Sequence, residues 1–109
     1  MANIYKNAKV DLTNNSETAI LTVPSDSRAI IKSIVVSEDS GKADSITLTI
    51  TDASSNVFSL FKTKAVSANA TVELLSQPLV LQESEILKAT AATGNRLHIV
   101  VSMLEINRS

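Results

Sequence analysis

The sequence predicts an all-β protein: an antiparallel β-sandwich, jelly-roll or immunoglobulin-like, of eight to nine short strands. Three observations carry that prediction. Apolar residues recur with period two in short runs, as in half-buried strands. Polar clusters rich in Asn, Asp and Ser interrupt the runs every ~8–12 residues, the spacing of sandwich strands. No helix-period segment separates the runs, which argues against a parallel α/β sheet.

Composition narrows the class further. A chain of 109 residues is long enough for one core and too short for two. The aromatics are Tyr5, Phe58 and Phe61, with no Trp, so the core must be built from Val, Ile and Leu. Glycine occurs only at Gly41 and Gly94, which leaves most turns to Asn, Asp and Ser. A net charge of −1 gives no electrostatic footprint for nucleic acid or an anionic membrane. Without cysteine there is neither a disulfide framework nor a thiolate metal site. The start, Met1 to Lys6, lacks the apolar core of a signal peptide. No apolar run approaches the roughly 18–20 residues of a membrane span. The expectation is a protein made in a cytoplasm, with no membrane anchor.

Taken in order, residues 3–12 alternate loosely, with Ile4, Ala8, Val10 and Leu12 on one side and Tyr5 opposed. Residues 1–12 are therefore an N-terminal arm or a first strand, and 13–109 a single sandwich domain. Thr13 to Ser16 form a turn, and 17–23 a strand that Pro24 ends, because proline has no N–H for the ladder. Residues 28–37 are the strongest strand, apolar on both faces. Strict alternation places Ile30, Lys32, Ile34 and Val36 on one face, and Ile31, Ser33 and Val35 on the other. After the polar turn Glu38 to Lys42, residues 45–51 alternate Ile46, Leu48 and Ile50 with Ser and Thr, which predicts a hairpin with 28–37.

The second half continues the pattern. Phe58, Leu60 and Phe61 in 57–62 are expected to bring aromatic mass to the core; 71–75 and 79–81 are brief strands split by Gln77-Pro78. Residues 83–92 fit a strand or a short helix, since Ile86 and Leu87 adjoin and Ala favours helix. Ala92 to Asn95 look like a hairpin turn, and 96–106 a closing strand with Leu97, Ile99, Val101 and Met103 on one face.

No motif for catalysis emerges. His98, the sole histidine, lies mid-strand with Ser102 on its face, and a triad needs nucleophile, base and orienting acid in mutual reach. Glu38, Asp39 and Asp44 share one loop region but do not match a calcium ladder, and Lys42 sits among them. Glu83 and Glu85 share one turn, whereas glycosidase carboxylates flank a scissile bond. No cofactor is expected. The feature left to explain is surplus apolar surface on 30–36 and 97–106, which marks an interface where it is exposed, the alternative being that edges and loops of the same domain cover it. The interface candidates are Ile4, Tyr5, Val10, Ile31, Val35, Leu104 and Ile106.

Four stretches carry a family resemblance. They are Val23-Pro24 followed by S-R-A-I-I-K-S-I-V-V-S (27–37); the Thr-rich 45–51; T-V-E-L-L-S-Q-P-L-V-L (71–81) with E-I-L-K (85–88); and V-V-S-M-L-E-I (100–106). With these the sequence resembles small structural proteins of tailed bacteriophages, especially marine and cyanobacterial phages. It departs from them at Gln82-Glu83-Ser84-Glu85, where such proteins often have a Gly-Asp turn. The resemblance implies a non-enzymatic virion component: a capsid decoration (cement) protein that stabilises the lattice by binding between capsomers. Its partners would be the major capsid protein and further copies of itself, as a dimer or trimer. The alternative is a tail, neck or fibre-attachment component. A small carbohydrate-binding module ranks lower, for want of an aromatic platform.

Overall fold

The period-two runs fold as nine strands in a computed structural model that describes residues 2–107. They are β1 (Ala2–Leu12), β2 (Thr18–Thr22), β3 (Ser27–Glu38), β4 (Asp44–Thr51) and β5 (Val57–Val66), then β6 (Thr71–Glu73), β7 (Leu79–Leu81), β8 (Ile86–Ala91) and β9 (Leu97–Asn107). The ambiguity over 83–92 resolves as strand: Ile86–Ala91 pairs with both β2 and β4.

Pairing is nested. β1 pairs with β9, β2 with β8, β3 with β6 and β7, and β4 with β5, all antiparallel. The chain is thus one long hairpin with its tip at β4–β5, rolled so that its two halves interleave. One sheet runs β1-β9-β3, with β6 and β7 end to end on the far edge of β3; the other runs β2-β8-β4-β5. This is the jelly-roll topology, which decides between the two expected sandwiches. Two local expectations fail. β3 and β4 do not form a hairpin, nor do β8 and β9, because each pair is divided between the sheets. A polar turn reverses the chain equally well within a sheet or across the core, and crossing lets both strands bury the same kind of inner face.

The core is aliphatic. Ile31, Ile34 and Val36 of β3, Ile46 and Leu48 of β4, Leu87 of β8, and Leu97, Ile99 and Val101 of β9 have no exposed surface. Burial of each such side chain stabilises by about 1.5–3 kcal/mol. The aromatics contribute little: Phe58 is 56% exposed on the edge strand β5, and Phe61 only packs against the core margin.

β3 does not alternate strictly. Ile31 pairs with Met103 and Ser33 with Ser102, so Lys32 is an extra residue that forms a β-bulge. Before the bulge Ala29 and Ile31 point inward; after it Ile34, Val36 and Glu38 do. Ile30 and Ile34, expected on one face, therefore lie on opposite faces.

Left-handed backbone falls on Ser55, Thr63, Asn69, Ser84 and Asn95 as well as Gly41, as scarce glycine required. Gly94 serves a different purpose. A Cβ there would lie 2.6 Å from the Thr13 carbonyl oxygen and 2.8 Å from Asn14 Cα, both backbone. The β8–β9 connection thus rests directly on the β1–β2 turn, and Asn95 N–H donates to the Leu12 carbonyl at 2.9 Å. Gly94→Ala is expected to destabilise by about 1–3 kcal/mol by overpacking, measurable by urea denaturation.

Candidate functional site

The outer face of the β1-β9-β3 sheet gathers the surplus apolar residues. Register sets them in rows across the strands. Tyr5 of β1 stands opposite Leu104 of β9, Leu104 opposite Ile30 of β3, and Ile30 opposite Val80 of β7. Tyr5 is 76% exposed and Val80 54%; Leu104 and Ile30, flanked by them, are half-buried. Further along, Val100 pairs with Val35, and at the near end Ile106 pairs with Arg28. Between them lies a polar row of Asn7, Ser102 and Ser33.

Of the residues expected at an interface, Tyr5, Val35, Leu104 and Ile106 meet on this face. Ile4 and Val10 alternate onto the inner side of β1; Val10 packs against the core, and Ile4 is 48% exposed beyond it. Ile31 must be corrected: it is fully buried, because the bulge at Lys32 turns it inward. Ile30, Val80 and Val100 were missed. The signal that could have found Ile30 was Lys32 itself, since a lysine inside a two-sided apolar run needs an exit to water that a bulge supplies.

Arg28 and His98 on this face are already partnered, while Lys9 and Lys32 form no ion pair among the described residues. Arg28 Nε lies 3.2 Å from Glu83 Oε1, beside an open depression lined by Asp26, Ser27 and Ile106. His98 Nε2 lies 3.2 Å from Asp11 Oδ1, and its Nδ1 lies 3.3 Å from Asp39 Oδ2. Ser37, its cross-strand neighbour, completes a Ser, His, Asp row. Both ring nitrogens face carboxylates, however, so none is left to accept a proton from a serine.

The face's far edge is closed by Glu73. Between the β7 pairing, which ends at Ile31, and the β6 pairing, which begins at Val35, β3 lacks a regular partner strand. The Glu73 carboxylate fills the gap by accepting the Ile34 N–H at 2.8 Å and the Ser33 hydroxyl. Burial would raise its pKa, but the Ser33 hydroxyl and the N–H groups of Ile34 and Leu75 outweigh that and lower it. The other suspected acids are also engaged. Glu38 accepts backbone N–H groups, Asp44 accepts the Thr93 N–H, and Glu85 accepts the Gln82 N–H. Tyr5 and Phe58 lie on different sheets and form no common sugar platform.

No protein-family model and no curated protein matches the sequence. Solved structures share the fold. A chain of the Bacillus endospore appendages, a family of disulfide-linked pili, superposes with TM-score 0.58 at 10% identity, over 98% of this chain and 89% of that one. A chain of the acid-stable capsid of Helicobacter pylori bacteriophage KHP30 also superposes with TM-score 0.58, at 8% identity, over 99% of this chain and 95% of that one. A chain of the cyanophage Pam1 capsid asymmetric unit aligns with TM-score 0.46 at 16% identity, over 94% and 84% of the two chains. For the first two the likeness is one of fold.

Proposed function

We propose that this chain is a structural protein of a bacteriophage virion, a capsid decoration protein that binds the outer coat lattice and bridges neighbouring capsomers. The observation that carries the reading is the solvent-facing apolar row Tyr5–Leu104–Ile30–Val80 on a jelly-roll. Apolar side chains aligned across four strands serve adhesion, and a pairing surface is what a lattice component needs. The near end-to-end match to a phage capsid chain supports the setting, as does the sequence resemblance to phage structural proteins. The match to a pilus chain adds a second assembly built on this fold; lacking cysteine, this chain would associate by non-covalent contacts alone. Its role is mechanical, with the major capsid protein as partner and no cofactor. A place in the tail, neck or fibre attachment is the second reading, because an adhesive face suits either position.

Immunogold labelling of particles purified from the producing host tests this. Label spread over the capsid shell is expected. Label confined to the tail or its vertex moves the protein to the second reading, and absence of the chain from purified particles by mass spectrometry overturns both.

A further inference from the structure

We infer that the outer face of the β1-β9-β3 sheet is a homodimer interface, on which a second copy packs face to face about a two-fold axis running along the strands between β9 and β3. The chemistry of the face selects this partner. Arg28 and His98 on its two central strands each face a carboxylate of the same chain. Lys9 on one edge is balanced by Glu73 on the other, and Lys32 stands alone at the bulge, so the face carries little net charge to attract an acidic or basic ligand. What it offers is self-complementarity.

Such an axis lays the left half of each row over the right half of the same row in the other copy. Leu104 then meets Ile30 of the second copy, and Tyr5 meets Val80. Val100 meets Val35 in the row beyond. That row begins with Lys9 on β1 and ends with Glu73 on β6, so the positive edge of one copy falls on the negative edge of the other, twice. Within the paired rows no like charges oppose, and Lys32, beside the axis, extends from its bulge to water. Turning the axis across the strands instead would set Val80 against Glu73 and Ile106 against His98, a poorer match. Sheets stacked in the favoured orientation also keep their strands within about 30° of each other, as sandwiches do.

The size is sufficient. Strands spaced about 4.8 Å apart and rising about 3.3 Å per residue give a face of roughly 600 Å² per copy. Pairing would cover about 1,200 Å² in total, at the lower edge of specific stable interfaces. The inference gives the apolar row to a second copy, so a decorating dimer would meet the coat lattice through its remaining surface, and a soluble dimer would form whether or not the protein decorates a capsid.

Sedimentation equilibrium of the purified chain tests it, with far-UV circular dichroism as the folding control. The wild type is expected to dimerise below roughly 100 µM. Leu104→Asp is expected to weaken association about 30-fold or more, the effect of a central anchor residue. The cysteine-free chain permits a second measurement that keeps the test valid if that variant fails to fold. Leu104→Cys and Ile30→Cys proteins of different tag length are mixed and oxidised, and the mixed disulfide is expected to exceed either self-pair. A wild type that stays monomeric, a dimer indifferent to a folded Leu104→Asp, or absence of the mixed cross-link each overturns the proposal. A monomer that nevertheless binds capsids would show that a virion protein, not a second copy, covers the face.

Discussion

Ile31→Ala is expected to lower the unfolding free energy by about 3–5 kcal/mol, whereas Ile30→Ala, one residue earlier, should cost less than about 1 kcal/mol. The contrast follows from the bulge at Lys32. Ile31 has no exposed surface and pairs with Met103, which is itself buried, so truncation removes transfer energy and leaves a cavity between the sheets. Ile30 faces outward, where the site can be rehydrated. For a chain of this size the larger loss lowers the melting temperature by about 15 °C or more. Urea titration of dilute protein, so that association does not contribute, checks both values. A reversed order, with Ile30→Ala the costlier variant, would mean that β3 has no bulge and that the outer apolar row is misassigned. Val35→Ala and Ile34→Ala repeat the comparison beyond the bulge, with Ile34 the costly one.

Strands were legible in the sequence where period two is uninterrupted. Residues 45–51 appear as β4 (Asp44–Thr51), with Ile46, Leu48 and Ile50 inward, and 96–106 appear as β9 (Leu97–Asn107), with the expected inner face. Two things were not legible, for physical reasons. One is pairing. In a rolled hairpin the partner of β1 lies at the opposite end of the chain, and a turn such as Glu38 to Lys42 signals reversal without saying which sheet receives the next strand. The other is parity across an irregularity. A bulge shifts every later residue to the opposite face, and alternation counted from Arg28 cannot register it. Of the outer face, Tyr5, Val35, Leu104 and Ile106 could be read from the alternation, while Ile30 and Val80 needed the register. Apart from the preceding Pro78 and its flanking turns, the three-residue β7 gives no periodic signal at all.

Glu38 shows how a correct pattern can hide a structural role. It looks like the first residue of a polar turn, yet it continues the inward series Ile34, Val36, Glu38 and is 2% exposed. An inward carboxylate must find donors. The chain supplies them from two connections. Oε1 accepts the N–H groups of Gly41, Lys42 and Asn69 at 3.0, 3.1 and 3.0 Å, and Oε2 accepts the Ser40 N–H at 2.9 Å together with the Ser40 hydroxyl. One side chain thereby ties the β3–β4 connection to the β5–β6 connection at the end of the sandwich where Gly94 seals the other two crossovers.

Glu38→Ala is accordingly expected to lower the melting temperature by about 10 °C, several times the effect of Ser40→Ala, because it strands donors in both connections at once. Glu38→Gln should fall between wild type and alanine, since one amide oxygen remains to accept while the NH₂ group faces donors. The pH dependence separates charge from shape. Burial alone would raise the carboxyl's pKa, but the Ser40 hydroxyl and the N–H groups of Asn69, Ser40 and Gly41 outweigh it and hold the value at about 2, below the ordinary 4.5. Between those values the unfolded chain binds the proton and the folded one does not, so stability falls as pH falls. The contribution is complete above about 4.5 and lost as pH drops through about 2. Thermal melts across that window should show the wild type converging on Glu38→Gln as the solution is acidified. A gap between the two that stays constant down to about pH 2 would mean that the carboxylate is not the group these donors hold.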